Sequence, residues 1–324
     1  MSAPEERSLE EWDAALRGEE AGMVPLCLQM PHIPEARLAA LLICAENEAS
    51  PPPILHYEIG SAYAERQAGN HETNMEKAVA SLTRAWDGVR SDPQAPPDAV
   101  FEIGTEYAIA LGSDPSSGED ALAASLTVLD ALLEVAEGNP EDEVMTLNNK
   151  GTLLVQHGKY EEAGEAYAAA LEKVDPNSSP ESWGWITNAQ AEAFLELWLR
   201  GDDDSLFDPA LDGFQSALDV LDEINAPAEV AQVKFNIGRA LSSKLERLNT
   251  STPTSTPIST TVGHSTDGTA GTAHSDDTHA DDTHTAELLE RALAALDHAI
   301  RIRSRDDIAD DPQPAIDLAA KLRS

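Results

Sequence analysis

The chain has 324 residues, in which 21 Lys and Arg face 59 Asp and Glu, giving a formal net charge of −38. A large negative net charge argues against binding a nucleic-acid backbone, which needs a stripe of basic residues. Two cysteines, Cys27 and Cys44, are too few for a disulfide framework and predict a reducing compartment. The chain shows no signal-peptide pattern and no run near the roughly 20 apolar residues of a membrane helix, which predicts a cytoplasmic protein without a membrane partner.

The carboxylates suggest an adaptation to concentrated salt. Self-repulsion of such a surface would destabilise the fold at low salt, whereas about 1 M salt shortens the screening length to about 3 Å. Only seven of the 21 basic residues are Lys. We therefore predict a salt-loaded cytoplasm, the alternative being a solvated acidic surface that serves no special partner.

The first 50 residues carry two predicted helices, Leu9–Arg17 and Glu35–Asn47, separated by Pro25, Pro31 and Pro34. Residues 51–249 then contain an internal repeat, so residues 1–50 are expected to form a helical cap. An uncapped stack of repeats would expose its apolar end.

A short motif ending in glycine recurs along residues 51–249. Its glycines are separated by 44, 47 and 87 residues, and the last interval is about twice the others, which predicts a degenerate copy around Trp185–Gln190. The clear copies are Tyr57-Glu58-Ile59-Gly60, Phe101-Glu102-Ile103-Gly104, Asn149-Lys150-Gly151 and Phe235-Asn236-Ile237-Gly238.

A second motif follows each copy of the first. It places small, large, small and large residues at offsets 0, 4, 7 and 8, which is one face of a helix. Small residues let two helices approach closely, and large ones fill the space between neighbours. The five copies are Ala78/Leu82/Ala85/Trp86, Ala121/Ser125/Val128/Leu129, Ala163/Tyr167/Ala170/Leu171, Ala210/Phe214/Ala217/Leu218 and Ala292/Leu296/Ala299/Ile300.

These two motifs resemble the tetratricopeptide repeat (TPR) family, most closely over Leu147–Pro176, and the acidity is similar to that of haloarchaeal proteins. The resemblance implies an all-α, right-handed superhelical solenoid of about five TPR-like helix pairs with helical caps. The family period is about 34 residues, but here it is near 44, and we expect the excess between the two helices of a pair, as at Ala68–Met75 and Gly112–Gly118.

Residues 250–284 differ in kind from the repeats. They are rich in Ser, Thr, Asp and Gly, contain almost no large apolar residues, and are predicted to be a disordered insertion within the fifth repeat. Residues 285–324 would then supply the second helix of that repeat and a C-terminal cap at Ala315–Leu322. The insertion twice reads Asp-Asp-Thr-His, although a disordered segment provides no second shell for a metal site.

The resemblance also implies a peptide-binding groove on the first helix of each pair. Residues near the motif glycine line the groove in the family, and an asparagine there can both donate to and accept from a peptide backbone. Three asparagines would form a ladder along a bound segment, aromatic residues would add apolar contacts, and Arg239 would meet a carboxylate. The predicted groove residues are Asn149, Asn188, Asn236, Arg239, Glu58, Glu102, Tyr57, Phe101 and Phe235.

The sequence therefore predicts a scaffold that binds a segment of another protein, with no catalytic residue, metal or cofactor, and it is compatible with a homo-oligomer. Glu58 and Glu102 would favour a basic segment, unless they only share the general acidity of the chain. One alternative is a ligand-sensing regulatory module that acts through another protein. Another is a metal-assisted hydrolase that uses His274, His279 and His284 of the insertion.

Overall fold

The computed structural model describes residues 7–114, 117–201, 203–251, 276–304 and 311–324, with the backbone alone at 251 and 276–284. Helices and turns make up this part of the chain, and no strand occurs in it. The prediction of an all-α protein is therefore confirmed. The chain divides into two compact units, Met1–Lys173 and Val174–Ser324.

The first unit is a succession of helices joined by short turns. A 3₁₀ turn at Ala21–Met23 precedes α2. The helices are α1 (Leu9–Arg17), α2 (Val24–Cys27), α3 (Pro34–Asn47), α4 (Pro53–Ala64), α5 (His71–Ser91), α6 (Pro97–Gly112), α7 (Gly118–Val135), α8 (Pro140–Gln156) and α9 (Tyr160–Leu171).

The second unit is also a succession of helices, with a 3₁₀ turn at Asp204–Leu206. Its helices are α10 (Pro180–Arg200), α11 (Phe207–Glu223), α12 (Pro227–Ser251), α13 (Asp276–Arg303) and α14 (Gln313–Arg323). The predicted N-terminal helices correspond to α1 and α3, and the predicted C-terminal helix lies within α14.

Proline marks where many of these helices begin. The ring fixes φ near its helical value, and the missing N–H would have no intrahelical partner in the first turn. The helices with proline as first residue are α3, α4, α6, α8, α10 and α12. Other starts are capped by side chains: Asn70 accepts from the Thr73 backbone N–H at 2.8 Å and thereby begins α5.

Successive helices pack in pairs. The most extensive contacts join α4 with α5, α6 with α7 and α8 with α9 in the first unit, and α10 with α11 and α12 with α13 in the second. The face predicted for the second helix of each pair is the buried one: Ala78, Leu82 and Ala85 have no exposed surface, and neither do Ala210, Phe214 and Ala217. The prediction of a close-packed small-and-large face is confirmed at these positions.

Glycines of the first helices lie against the large residues of that face. An added Cβ would stand 2.6 Å from Leu82 Cγ at Gly60, 2.5 Å from Tyr167 Cε1 at Gly151 and 2.6 Å from Leu296 Cδ2 at Gly238. Real Cβ atoms do not approach so closely, so these three glycines set the distance between paired helices.

Two predicted segment boundaries differ from the structure. Residues 71–75, predicted as part of a loop, are helical, because the Asn70 cap begins α5 at His71; this helix has 21 residues, so the long period is partly taken up by helix length. Helix α13 begins at Asp276, inside the segment predicted to be disordered, and no Gly or Pro follows to interrupt it before Arg303. Residues 252–275 of that segment lie outside the described residues.

A polar and aromatic cluster closes the end of α10. The Trp198 side chain, fully buried, donates its indole N–H to Asp204 Oδ1 at 2.9 Å. The Arg247 guanidinium stacks 4.0 Å from the centre of that ring, and its Nη1 lies 3.3 Å from the same carboxylate. Lys244 Nζ lies 3.7 Å from Asp204 and 5.0 Å from the Phe207 ring centre. Asp204 therefore ties α12 to the turn that follows α10.

This cluster predicts a loss of stability in acid. The indole N–H of Trp198, and then Lys244 and Arg247, lower the pKa of Asp204 below its ordinary 3.8. The unfolded chain then binds the proton first, so the contribution is present above pH 3.8 and disappears as pH falls through the lower pKa of the folded state. Thermal unfolding measured from pH 7 to pH 2 should show Asp204→Asn less stable than the parent at pH 7, with the difference shrinking below pH 4. A constant difference across this range would contradict the role of Asp204.

Candidate functional site

The first helices of the pairs form a row of their own within each unit. In the first unit α6 contacts both α4 and α8, and in the second α12 contacts α10 and α14. Among the described residues, contacts between α5 and α7 or between α7 and α9 are fewer. Helices α4, α6 and α8, here called the first-helix row, are thus closer together than their partners. In a curved stack of helix pairs, the row whose helices are more closely spaced lies on the inside of the curve.

Several predicted groove residues hold this row together. In the first unit, Tyr57 of α4 is half-buried, and its hydroxyl donates to Glu102 Oε1 of α6 at 2.9 Å. Burial, and next the hydrogen bond to Glu102, raise the pKa of Tyr57, so the phenol remains protonated and a donor. Glu58 is bound by Arg37 of α3. Both glutamates therefore have partners within the unit.

The asparagines fall into two groups. Asn236 of α12 is 1% exposed and donates its amide N–H to Oδ1 of Asn188 of α10 at 3.1 Å; Asn188 is 6% exposed. A buried amide must be satisfied internally; this bond joins the neighbouring helices, and Asn236 Oδ1 accepts from Gln232 Nε2 at 3.4 Å. Asn149 lies in the other unit, on α8, where it is half-buried and has no side-chain hydrogen bond to a described residue.

The remaining predicted residues of the second unit are also engaged. Arg239 of α12 donates to Glu196 at 2.8 Å and to Glu192 at 2.9 Å, both on α10. Phe235 lies against the guanidinium of Arg303, whose carbon is 5.1 Å from the ring centre. Arg239 thus already holds two carboxylates within the unit.

Phe101 completes the predicted set. It is 7% exposed and belongs to the apolar cluster that includes Trp86 and Leu129. Its ring therefore contributes to the core and not to a surface.

Several exposed apolar residues on the first helices were not predicted from the sequence, and two of them stand four residues before a predicted groove residue. Met145 is 42% exposed and precedes Asn149 by four residues, so the two lie on one face of α8. Ile54, 50% exposed, precedes Glu58 by four residues on α4. Each is six residues before its motif glycine. Hydropathy at this position, compared between repeats, could have found them.

The histidines proposed as metal ligands lie outside the described side chains. The residues that the structure does describe contain no group of three or more His, Cys, Asp or Glu side chains placed to hold a metal ion. In the same part of the chain, no helix has the length and apolar character needed to cross a membrane.

The comparisons with known proteins give a likeness in fold. No family model matches the chain, and no curated protein matches it. Among solved structures, the crystal structure of BtubC (BKLC) from P. vanneervenii is similar, with a TM-score of 0.51 and 15% sequence identity over 92% of each chain. The likeness concerns the fold alone.

Proposed function

We propose that this chain is a cytoplasmic protein-interaction scaffold: a right-handed solenoid of five TPR-like helix pairs that binds a segment of another protein. The recurring contact between a first-helix glycine and a large second-helix residue supports the repeats, since it occurs at Gly60, Gly151 and Gly238. The likeness to a solved helical structure over 92% of both chains is compatible with this architecture. A salt-loaded cytoplasm accounts for the charge of −38.

The observation that carries the binding proposal is the face of α8 formed by Met145 and Asn149, here called the α8 stripe. It joins an exposed thioether to an amide that no described side chain or backbone group engages. Met adapts to varied apolar partners, and one amide can bond both groups of a peptide unit. Asn188 and Asn236 contribute indirectly in this view, because they fix neighbouring helices.

The test is affinity capture from a lysate in about 2 M KCl with the parent protein and with Met145→Ala/Asn149→Ala. We expect a defined protein to be retained by the parent and reduced at least about ten-fold by the double substitution. A central apolar contact and one hydrogen bond are together worth more than about 1.4 kcal/mol, which is a ten-fold change in affinity.

The matched control is Glu162→Ala/Glu165→Ala, which alters two exposed residues of α9, the partner helix of α8. This variant should capture the same protein as the parent. Equal capture by all three proteins would exclude the α8 stripe as the binding surface, and equal loss in both variants would mean that the loss is not specific to this stripe.

A further inference from the structure

A second surface lies between α3 and α5, with α4 as its floor, here called the α3–α5 groove. It encloses about 480 Å³. Its floor is apolar: Leu42 of α3 is half-buried, and Ile59 and Tyr63 of α4 are 4% and 6% exposed. The α8 stripe shares no residue with this surface.

The rim of the groove is positive, in contrast to the chain as a whole. Lys77 and Arg84 stand two turns apart on one face of α5, and His56 of α4 lies beside them. Lys77 and Arg84 are both exposed, and neither forms an ion pair with any residue that the structure describes. Lys77 Nζ lies 5.2 Å from the centre of the Tyr63 ring, which orients the ammonium over the floor.

In the part of the chain that the structure describes, no carboxylate near the groove forms an ion pair with this rim, although Glu10 interacts with Lys77 at longer range. Glu46, which also lines it, is held by Arg17 with an N–O distance of 2.6 Å. An adjoining cleft of about 750 Å³ shares Lys77, but its own guanidiniums are paired, Arg7 with Glu20 and Arg66 with Glu35. Two unpaired cations at one groove are notable where Asp and Glu outnumber Lys and Arg by 59 to 21.

We propose that the α3–α5 groove binds an acidic segment of a partner protein, with carboxylates on Lys77 and Arg84 and an apolar side chain on Ile59 and Tyr63. Seven residues of helix separate the two cations by about 10 Å along α5. A segment in polyproline II conformation repeats a face every three residues at about 3.1 Å per residue. Acidic residues three apart therefore match the spacing of the cations.

Salt determines when such a segment can bind. At low salt the charge of −38 repels any acidic peptide over a screening length of about 30 Å. At about 1 M salt that length is about 3 Å, so opposite charges in direct contact still attract each other, while the repulsion from distant carboxylates is screened. The affinity for an acidic segment should thus rise between 0.01 M and 1 M KCl.

The experiment uses fluorescein-labelled (Glu-Leu-Pro)₄ and its neutral counterpart (Gln-Leu-Pro)₄, with anisotropy measured on the full chain in 1 M KCl. The glutamate peptide should bind at least ten-fold more tightly than the glutamine peptide. Lys77→Gln/Arg84→Gln should remove this preference and leave binding of the glutamine peptide unchanged. Arg90→Gln is the matched control, since Arg90 is exposed on the same helix and does not line the groove.

Equal affinity for both peptides, no binding of the glutamate peptide, or a preference retained in the Lys77/Arg84 variant would each overturn the proposal. Met145→Ala/Asn149→Ala should bind the glutamate peptide like the parent, so failure of the α8 stripe would be seen separately. Sedimentation velocity in the same buffer tests a second copy of the chain as occupant: a dimer that the Lys77/Arg84 variant dissociates would replace the partner segment.

Discussion

Replacing Gly151 with alanine is expected to lower the thermal unfolding midpoint by roughly 4–8 °C. The new Cβ would lie 2.5 Å from Cε1 and 2.7 Å from Cζ of Tyr167, a ring that is 2% exposed and has no room to turn aside. Overpacking of this kind costs up to about 3 kcal/mol, whereas alanine gains about 1 kcal/mol over glycine in a helix. The steric cost exceeds the gain in helix propensity by about 2 kcal/mol, and a loss of this size lowers the unfolding midpoint of such a unit by the stated amount.

Circular dichroism at 222 nm in molar KCl would measure the midpoint. Gly22→Ala is the control, because a Cβ there meets nothing within 4 Å. Combining Gly151→Ala with Tyr167→Leu should cost less than the sum of the single changes, since a smaller side chain removes the clash. Additive losses would mean that Gly151 and Tyr167 do not set the distance between α8 and α9.

The helical faces could be predicted from sequence because burial imposes a strict period. Positions such as Ala78 and Leu82 recur at helical spacing, and the structure buries them completely. Helix ends were harder to predict. The start of α5 depends on one cap at Asn70, and the start of α13 at Asp276 was hidden by a composition that is equally typical of disorder.

The sequence predicts which helices carry the candidate site, but not which of their side chains bond to one another. Tyr57 and Glu102 are 45 residues apart, and Asn188 and Asn236 are 48 apart, so each bonded pair spans about one period of the repeat. Complementary groups one period apart can bond across neighbouring first helices as readily as they can face a ligand. The sequence pattern alone does not distinguish these two arrangements.

The charge of the α3–α5 groove was not foreseen for a related reason. Lys77 and Arg84 are seven residues apart in the sequence, which places them on one helix face. Whether a cation is neutralised depends on tertiary neighbours: Arg66, eleven residues before Lys77, is held by Glu35 of α3 at 3.1 Å. The acidic half of the predicted groove suggested a basic segment, whereas this second surface favours an acidic one.

Replacing Asn236 with leucine is expected to destabilise the second unit by about 2 kcal/mol. Leucine has nearly the shape of asparagine, so the main effect is on Asn188, whose Oδ1 accepts from Asn236 at 3.1 Å. Since Asn188 is 6% exposed, its amide oxygen would lose its partner with little access to water. An unsatisfied buried acceptor costs about 1–3 kcal/mol.

The double variant Asn188→Leu/Asn236→Leu distinguishes a structural pair from a ligand-binding pair. Removing both partners together leaves neither amide of the pair orphaned, and only the long contact from Gln232 Nε2 to Asn236 Oδ1, at 3.4 Å, is lost in addition. Denaturant unfolding should therefore show most of the stability restored. A pair whose amides served a bound segment would instead show little change in stability in Asn236→Leu and a loss of partner binding. Recovery of stability in the double variant, with capture through the α8 stripe intact, would establish that Asn188 and Asn236 join α10 to α12 and do not contact the partner.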